Sequence, residues 1–179
     1  AGQLTLSARR SSLVETLQVQ YRQPYFLDAR NTLDARGGVQ QEDLAAYKTR
    51  EAFNNVSLTR KFLEDWSWKA DYGLAYTRLD ELKVNAPQDV EQLAADRYTL
   101  VSAVTGEVVR DTRDDLLNPN EGIYMKASAR LAPEVLGSEV EFVAPAFEAR
   151  AYRPLFDGWV LAGRLRWETV QEIGDTDFI

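Results

Sequence analysis

The chain has 179 residues, of which 45% are apolar and 27% charged, with a formal net charge of −7. That acidic balance argues against a nucleic-acid surface, which is normally basic, and the absence of cysteine and histidine removes disulfides, thiolate metal sites and the commonest general base and metal ligand. No run of eighteen apolar residues occurs, so no helix could cross a membrane; the mean hydropathy of −0.38 leaves crossing by strands open, because only alternate strand residues face lipid.

The apolar pattern repeats every second residue, the strand period. In chain order it predicts about nine strands, near 2–11, 13–25, 29–42, 50–62, 65–80, 97–110, 122–133, 138–153 and 158–171. The first is weakly patterned (Leu4, Leu6, Ala8). In the second, Leu17, Val19 and Tyr21 oppose Gln18, Gln20 and Arg22; in the third, Leu33, Ala35, Gly37 and Val39 oppose Asp34, Arg36 and Gln40. The fourth shows only Val56 and Leu58. The fifth is the clearest: Trp66, Trp68, Ala70, Tyr72, Leu74 and Tyr76 share one face, with Lys69 and Asp71 on the other. The sixth sets Leu100, Val104 and Val108 against Thr99, Thr105 and Glu107, and the seventh sets Ile123, Met125 and Leu131 against Lys126 and Arg130. The eighth changes parity, since Val140 and Phe142 are out of step with Phe147, Ala149 and Ala151. Pro145 sits at the switch, and a bulge there would restore the facing. The ninth places Trp159, Leu161, Leu165 and Trp167 opposite Arg164, Arg166 and Glu168.

Connections near 26–28, 63–64 and 154–157 are tight, and those near 43–49 and 81–96 are longer and polar. Asn85–Ala95 reads as a loop tip with room for a helical turn. Long strands, aromatics near strand ends and charge on the second face describe an all-β antiparallel meander from a transmembrane β-barrel. Lys69, Asp71, Arg164, Arg166 and Glu168 are then lumen-facing charges, and Trp66, Trp68, Tyr76, Trp159 and Trp167 an interfacial aromatic belt. Alternation is also the signature of a soluble β-sandwich binding module, in which the same aromatics would form a core or a sugar platform.

Carboxylate pairs give no catalytic constellation. Asp114 and Asp115 are adjacent and would diverge in extended backbone, and Glu139 and Glu141 read as a solvated rim. Asp175 and Asp177 could at most bind calcium weakly. The chain is expected not to be an enzyme and to need no cofactor.

One stretch is more specific. Arg110–Gly122 reads RDTRDDLLNPNEG, and the strand YMKASARL follows. An acidic start, an arginine and Pro-x-x-Gly leading into a strand, here Asp111, Arg113, Pro119 and Gly122, resemble the barrel of the BamA/TamA family of outer-membrane assembly factors. The likeness continues through EFVAPAFEARAYRPL and VLAGRLRWETVQEIGD, and is sharpest over 97–179. The resemblance implies a bacterial outer-membrane barrel of about sixteen strands, of which residues 1–179 would be a partial domain lacking the first and last strands. It also implies insertion of β-barrel clients or translocation of polypeptide, with outer-membrane lipid, unfolded clients and periplasmic accessory subunits as partners. A passive outer-membrane pore would carry the same strands and stays open as an alternative. Nine is an odd number and bacterial barrels use even ones, so an open curved sheet is expected, with its terminal strands unpaired to each other.

Overall fold

A computed structural model of the chain describes residues 2–44, 47–82, 98–156 and 158–173. Its strands are β1 (Gln3–Arg10), β2 (Val14–Pro24), β3 (Asn31–Asp43), β4 (Tyr47–Lys61), β5 (Trp66–Leu82), β6 (Tyr98–Asp111), β7 (Gly122–Ala132), β8 (Phe142–Phe156), β9 (Trp159–Glu168) and the two-residue β10 (Gln171–Glu172). Each of β2 to β9 pairs antiparallel with its predecessor, and β10 pairs with β8. Asn85–Ala95 lies outside the described residues.

β9 and β10 are two pieces of one edge strand, and Pro145 is the reason for the break. Ala146 pairs with Glu168 and Val143 with Gln171, one unbroken register. Between them the Thr169 amide donates to the Pro145 carbonyl at 3.2 Å. The return bond would need an N–H that proline lacks. The sheet is therefore a nine-stranded meander, and β1 does not pair with β9 or β10.

The expected bulge at Pro145 is absent. β7 and β8 run in constant register through Ala129↔Pro145, and the irregularity in β8 falls at Pro154/Phe156, against β9. The parity change has a simpler cause: β8 starts at Phe142, so Glu139 and Val140 belong to the preceding loop. Phe142 itself points to the polar face, where the Arg130 guanidinium lies 5.5 Å from its ring centre.

Residues directly opposite on neighbouring strands share a face, so the register separates two surfaces. One runs Leu4, Tyr21, Ala35, Val56, Tyr72, Val104, Leu131, Val143 across β1 to β8. The other runs Arg22, Asp34, Ser57, Asp71, Thr105, Arg130, Ala144. The polar surface is concave: Arg36 on β3, Asp71 on β5 and Arg130 on β7 line a common cavity of about 280 Å³. The apolar surface has nothing over it; Leu6 is 70% exposed, Leu17 49% and Leu165 62%. Among the described residues the only buried apolar side chains are Ala103 and Ala132. A soluble sandwich would bury this face under a second sheet, and no second layer exists among the described residues. Leu17, Val19, Tyr72, Leu74, Leu100, Leu161 and Leu165 all lie on the apolar face, as the alternation predicts.

Candidate functional site: the β6–β7 loop and the two faces of the sheet

The loop at 112–121 is held by its own polar residues. The Thr112 amide donates to the Ile123 carbonyl at 2.9 Å, and the Thr112 hydroxyl oxygen accepts from the Ile123 amide at 3.0 Å. Gly122 follows with φ of 105°, and a Cβ there would lie 2.3 Å from the Thr112 carbonyl oxygen. Glycine is thus required twice, by its dihedral and by the close approach.

Asp111 and Arg113 form a bidentate pair. Nε of Arg113 donates to Oδ1 at 2.8 Å and Nη2 to Oδ2 at 2.7 Å. The Arg113 guanidinium lies 5.0 Å from the Tyr124 ring centre, and Arg150 covers the same ring at 5.3 Å. Tyr124 pairs with Arg150 on the polar face, so Arg113 folds toward the concave side at this end of the sheet. Fixed guanidinium, carboxylate and ring planes make this end of β6–β7 a rigid rim.

Asp114 and Asp115 do not act as a pair. Asp114 Oδ1 accepts from the Asn120 and Glu121 amides at 2.9 and 3.1 Å, and Asp115 Oδ1 from the Leu117 and Asn118 amides at 2.7 and 2.8 Å. Pro119, which has no amide hydrogen, sits between Leu117–Asn118 and Asn120–Glu121, the two pairs whose amides are taken. Amide donation from Glu121 holds the Asp114 carboxyl below the usual carboxylate range, and donation from Asn118 does the same for Asp115. Carboxyls depressed on folding contribute stability above their unfolded value and lose it as pH falls through the folded one. The loop is therefore expected to stay ordered at neutral pH and loosen only well below about pH 4. Amide exchange of Leu117 and Glu121 followed against pH checks this; protection lost already near neutrality would contradict it.

On the concave face, Lys126 Nζ meets Glu107 at 2.6 Å, Glu148 receives Arg150 and Arg164 at 2.7 and 2.8 Å, and Arg166 meets Glu168 at 2.6 Å. Asp71 accepts from Asn55 at 2.7 Å, with Lys69 3.7 Å away. Lys69, Asp71, Arg164, Arg166 and Glu168 thus share one face. Pairs this wet are worth about 0–1 kcal/mol each; their contribution is a charged, hydrated surface.

On the convex face, Trp66 opens β5 and Arg110 stacks over its ring at 5.6 Å. Trp68 follows one pleat further in. Tyr76 stacks on Tyr98 with ring centres 5.1 Å apart. Trp66 and Tyr76 are ten residues apart, about 33 Å along a strand, or about 25 Å across a barrel tilted by about 40°, the height of an outer-membrane apolar band. Trp159 opens β9 against Phe156 at 5.6 Å, and Trp167 lies near its other end, opposite Phe147.

The alternation does not reveal Glu139. β7 pairs only with Val104–Asp111 of β6, so the first part of β6 would be left unpaired on that side. The 133–141 loop folds over it. The Leu100 amide donates to Glu139 Oε2 at 2.9 Å, the Glu139 amide to the Leu100 carbonyl at 2.9 Å, and the Ser102 amide to Ser138 Oγ at 3.4 Å. Glu141 accepts from the Glu134 amide at 2.7 Å. The Glu139 carboxylate is exposed, as a rim residue should be, and in addition caps the edge of β6, while the Glu141 carboxylate caps an amide of its own loop. Glu139→Ala is expected to cost about 1 kcal/mol, since the group is exposed, and to speed hydrogen exchange in 98–103; unchanged exchange there would show that the loop does not depend on this contact.

Among the described residues no group of three or more acidic side chains could hold a metal. Asp175 and Asp177 lie outside the described residues.

An antiparallel meander with a bare apolar convex face and an ion-paired concave face is the wall of a transmembrane β-barrel. The chain belongs to the Omp85 superfamily, whose domain model matches residues 1–179, and with that family it is placed in the bacterial outer membrane. It is 28% identical over 140 residues to the outer membrane protein assembly factor BamA of Nitratidesulfovibrio vulgaris, covering 74% of this chain and 18% of that protein. The crystal structure of BamA from Haemophilus ducreyi lacking POTRA domains 1–3 superposes with a TM-score of 0.82 at 16% identity, covering 97% of this chain and 36% of that one. The chain thus spans under a fifth of the length of the curated relative and about a third of the structural one.

Proposed function

We propose that this chain is a partial barrel domain of an outer-membrane assembly factor, which inserts β-barrel clients into the membrane or translocates polypeptide across it. The match of the superfamily model to residues 1–179 carries this reading. On it, the strands before β1 and after β9 complete a closed wall, since an open edge in hydrocarbon leaves unsatisfied backbone groups. Trp66, Trp68, Tyr76, Trp159 and Trp167 anchor the wall at the two interfaces. Lys69, Asp71, Arg164, Arg166 and Glu168 line the water-filled lumen. Asp111, Arg113, Pro119 and Gly122 hold one rim in a single shape. The work is physical: a client strand pairs by β-augmentation and is released into lipid, with no catalytic side chain and no cofactor. Partners are outer-membrane lipid, unfolded barrel clients and periplasmic accessory subunits.

The test is reconstitution of the full-length protein in liposomes with an unfolded barrel client. Client that becomes protease-resistant and heat-modifiable faster than in empty liposomes is the expected result. Ion conductance without any acceleration would make the protein a passive pore.

A further inference from the structure

One side chain breaks the apolar pattern of the convex face. Val19, Gly37, Asn54 and Leu74 lie opposite one another on β2 to β5, and each is the central residue of its strand. Asn54 is therefore well inside the apolar band. Its neighbours on that face are Ala52 and Val56 along β4, Gly37 across on β3 and Leu74 across on β5. None of them carries a polar side chain, and Asn54 itself is exposed.

Between the two aromatic zones, the other polar groups of this face are satisfied within the sheet. The Tyr21 hydroxyl donates to Gln23 Oε1 at 2.5 Å, and the Tyr72 hydroxyl lies 3.1 Å from Ser102 Oγ, which is fully buried. The Asn54 carboxamide has no hydrogen-bond partner among the described residues. It carries two N–H donors and a carbonyl acceptor. Hydrocarbon offers nothing to any of them, and moving an unpaired amide from water into such a medium is strongly unfavourable. Lipid headgroups stand at the two interfaces, out of reach. A polar group at this depth is accounted for by a hydrogen-bonding partner inside the membrane.

We infer that a second copy of the protein packs against this face, with the two Asn54 side chains hydrogen-bonded to each other. This rests on the convex face being the lipid-facing one. A carboxamide is its own complement: across a two-fold axis, each N–H donates to the other's C=O. Such an interface is self-complementary and closes at two copies. Gly37 and Ala52 leave the surface beside Asn54 low, so two walls can approach to the usual spacing of about 10 Å between packed sheets. At that spacing two extended carboxamides come within hydrogen-bonding reach. No neighbour of Asn54 on this face is charged, so nothing in the patch favours a charged partner over a second copy.

The full-length protein is reconstituted in phospholipid liposomes, and association is followed by energy transfer between donor- and acceptor-labelled copies as the lipid-to-protein ratio is raised. A saturable dimer is expected. Asn54→Leu should weaken it about ten-fold, the loss of a pair of hydrogen bonds in lipid. Ala52→Leu, which holds the walls apart, should weaken it as well, and Leu165→Ala on β9 should leave it unchanged. Asn54→Leu removes a polar group from a lipid-facing position, so it should fold at least as well as the parent, and heat-modifiable mobility verifies this for each variant. In a separate measurement, Asn54→Cys should oxidise to a disulfide between copies and Leu165→Cys should not. A protein that is monomeric at every ratio overturns the inference, as does a dimer that Asn54→Leu leaves intact. Labelling of Asn54→Cys by a water-soluble maleimide in membranes would instead overturn the lipid-facing placement of the convex face.

Discussion

Val19→Arg is expected to destabilise the complete barrel by about 2–4 kcal/mol, whereas Gln18→Arg, one residue earlier, should cost well under half of that. Val19 is the central residue of β2 (Val14–Pro24), paired with Leu6 and Gly37, and is 44% exposed on the convex face. In a membrane that exposure is to hydrocarbon, where a guanidinium has no partner. Gln18 lies on the concave face opposite Gly38, which has no side chain to compete for the space. The positions share strand and depth, so the difference isolates the face. Leu100 is a poorer probe: it lies opposite Tyr76, in the aromatic zone, where an arginine costs about 0–1 kcal/mol. Reversible unfolding in lipid measures the pair, and equal penalties would mean that the two faces see the same solvent.

Gly122→Val should cost about 3 kcal/mol, with about 1–2 from a positive φ in a β-branched residue and about 1–2 from moving the Thr112 carbonyl away from the new Cβ. The structural reading is specific, because Gly137 and Gly158 also have positive φ but meet no atom within 4 Å. Gly137→Ala should therefore cost only the dihedral part. Unfolding midpoints of the two variants compare them. A Gly122 variant as mild as the Gly137 one would show that the rim is not the close-packed turn described here.

The fold was legible wherever one face of a strand is apolar and the other polar. Trp66–Tyr76 shows this best, and its facing, its strand and its long span all follow from the alternation. The irregularities were not legible, because each depends on a neighbour distant in sequence. Pro145 marks a real interruption, but in the partner strand, where its missing amide hydrogen separates β9 from β10. Phe142 looked out of step because an aromatic ring can sit on a polar face when an arginine covers it. Glu139 is the exposed charge that the sequence suggests, but only the short pairing of β7 shows that β6 has an amide for it to accept from. Asp114 and Asp115 would diverge in extended backbone, but the backbone there is a compact loop that both serve.

The central claim is that this sheet separates lipid from water, and cysteine scanning of β5 in the full-length protein tests it most directly. The 179 residues contain no cysteine, so each introduced one is the single thiol in this part of the protein. Single cysteines from Trp68 to Ala75, in membranes, are expected to alternate: positions 68, 70, 72 and 74 react with a lipid-soluble thiol probe and resist a water-soluble maleimide, and positions 69, 71, 73 and 75 do the reverse. Uniform labelling by the water-soluble reagent, or alternation of the opposite phase, would contradict the account.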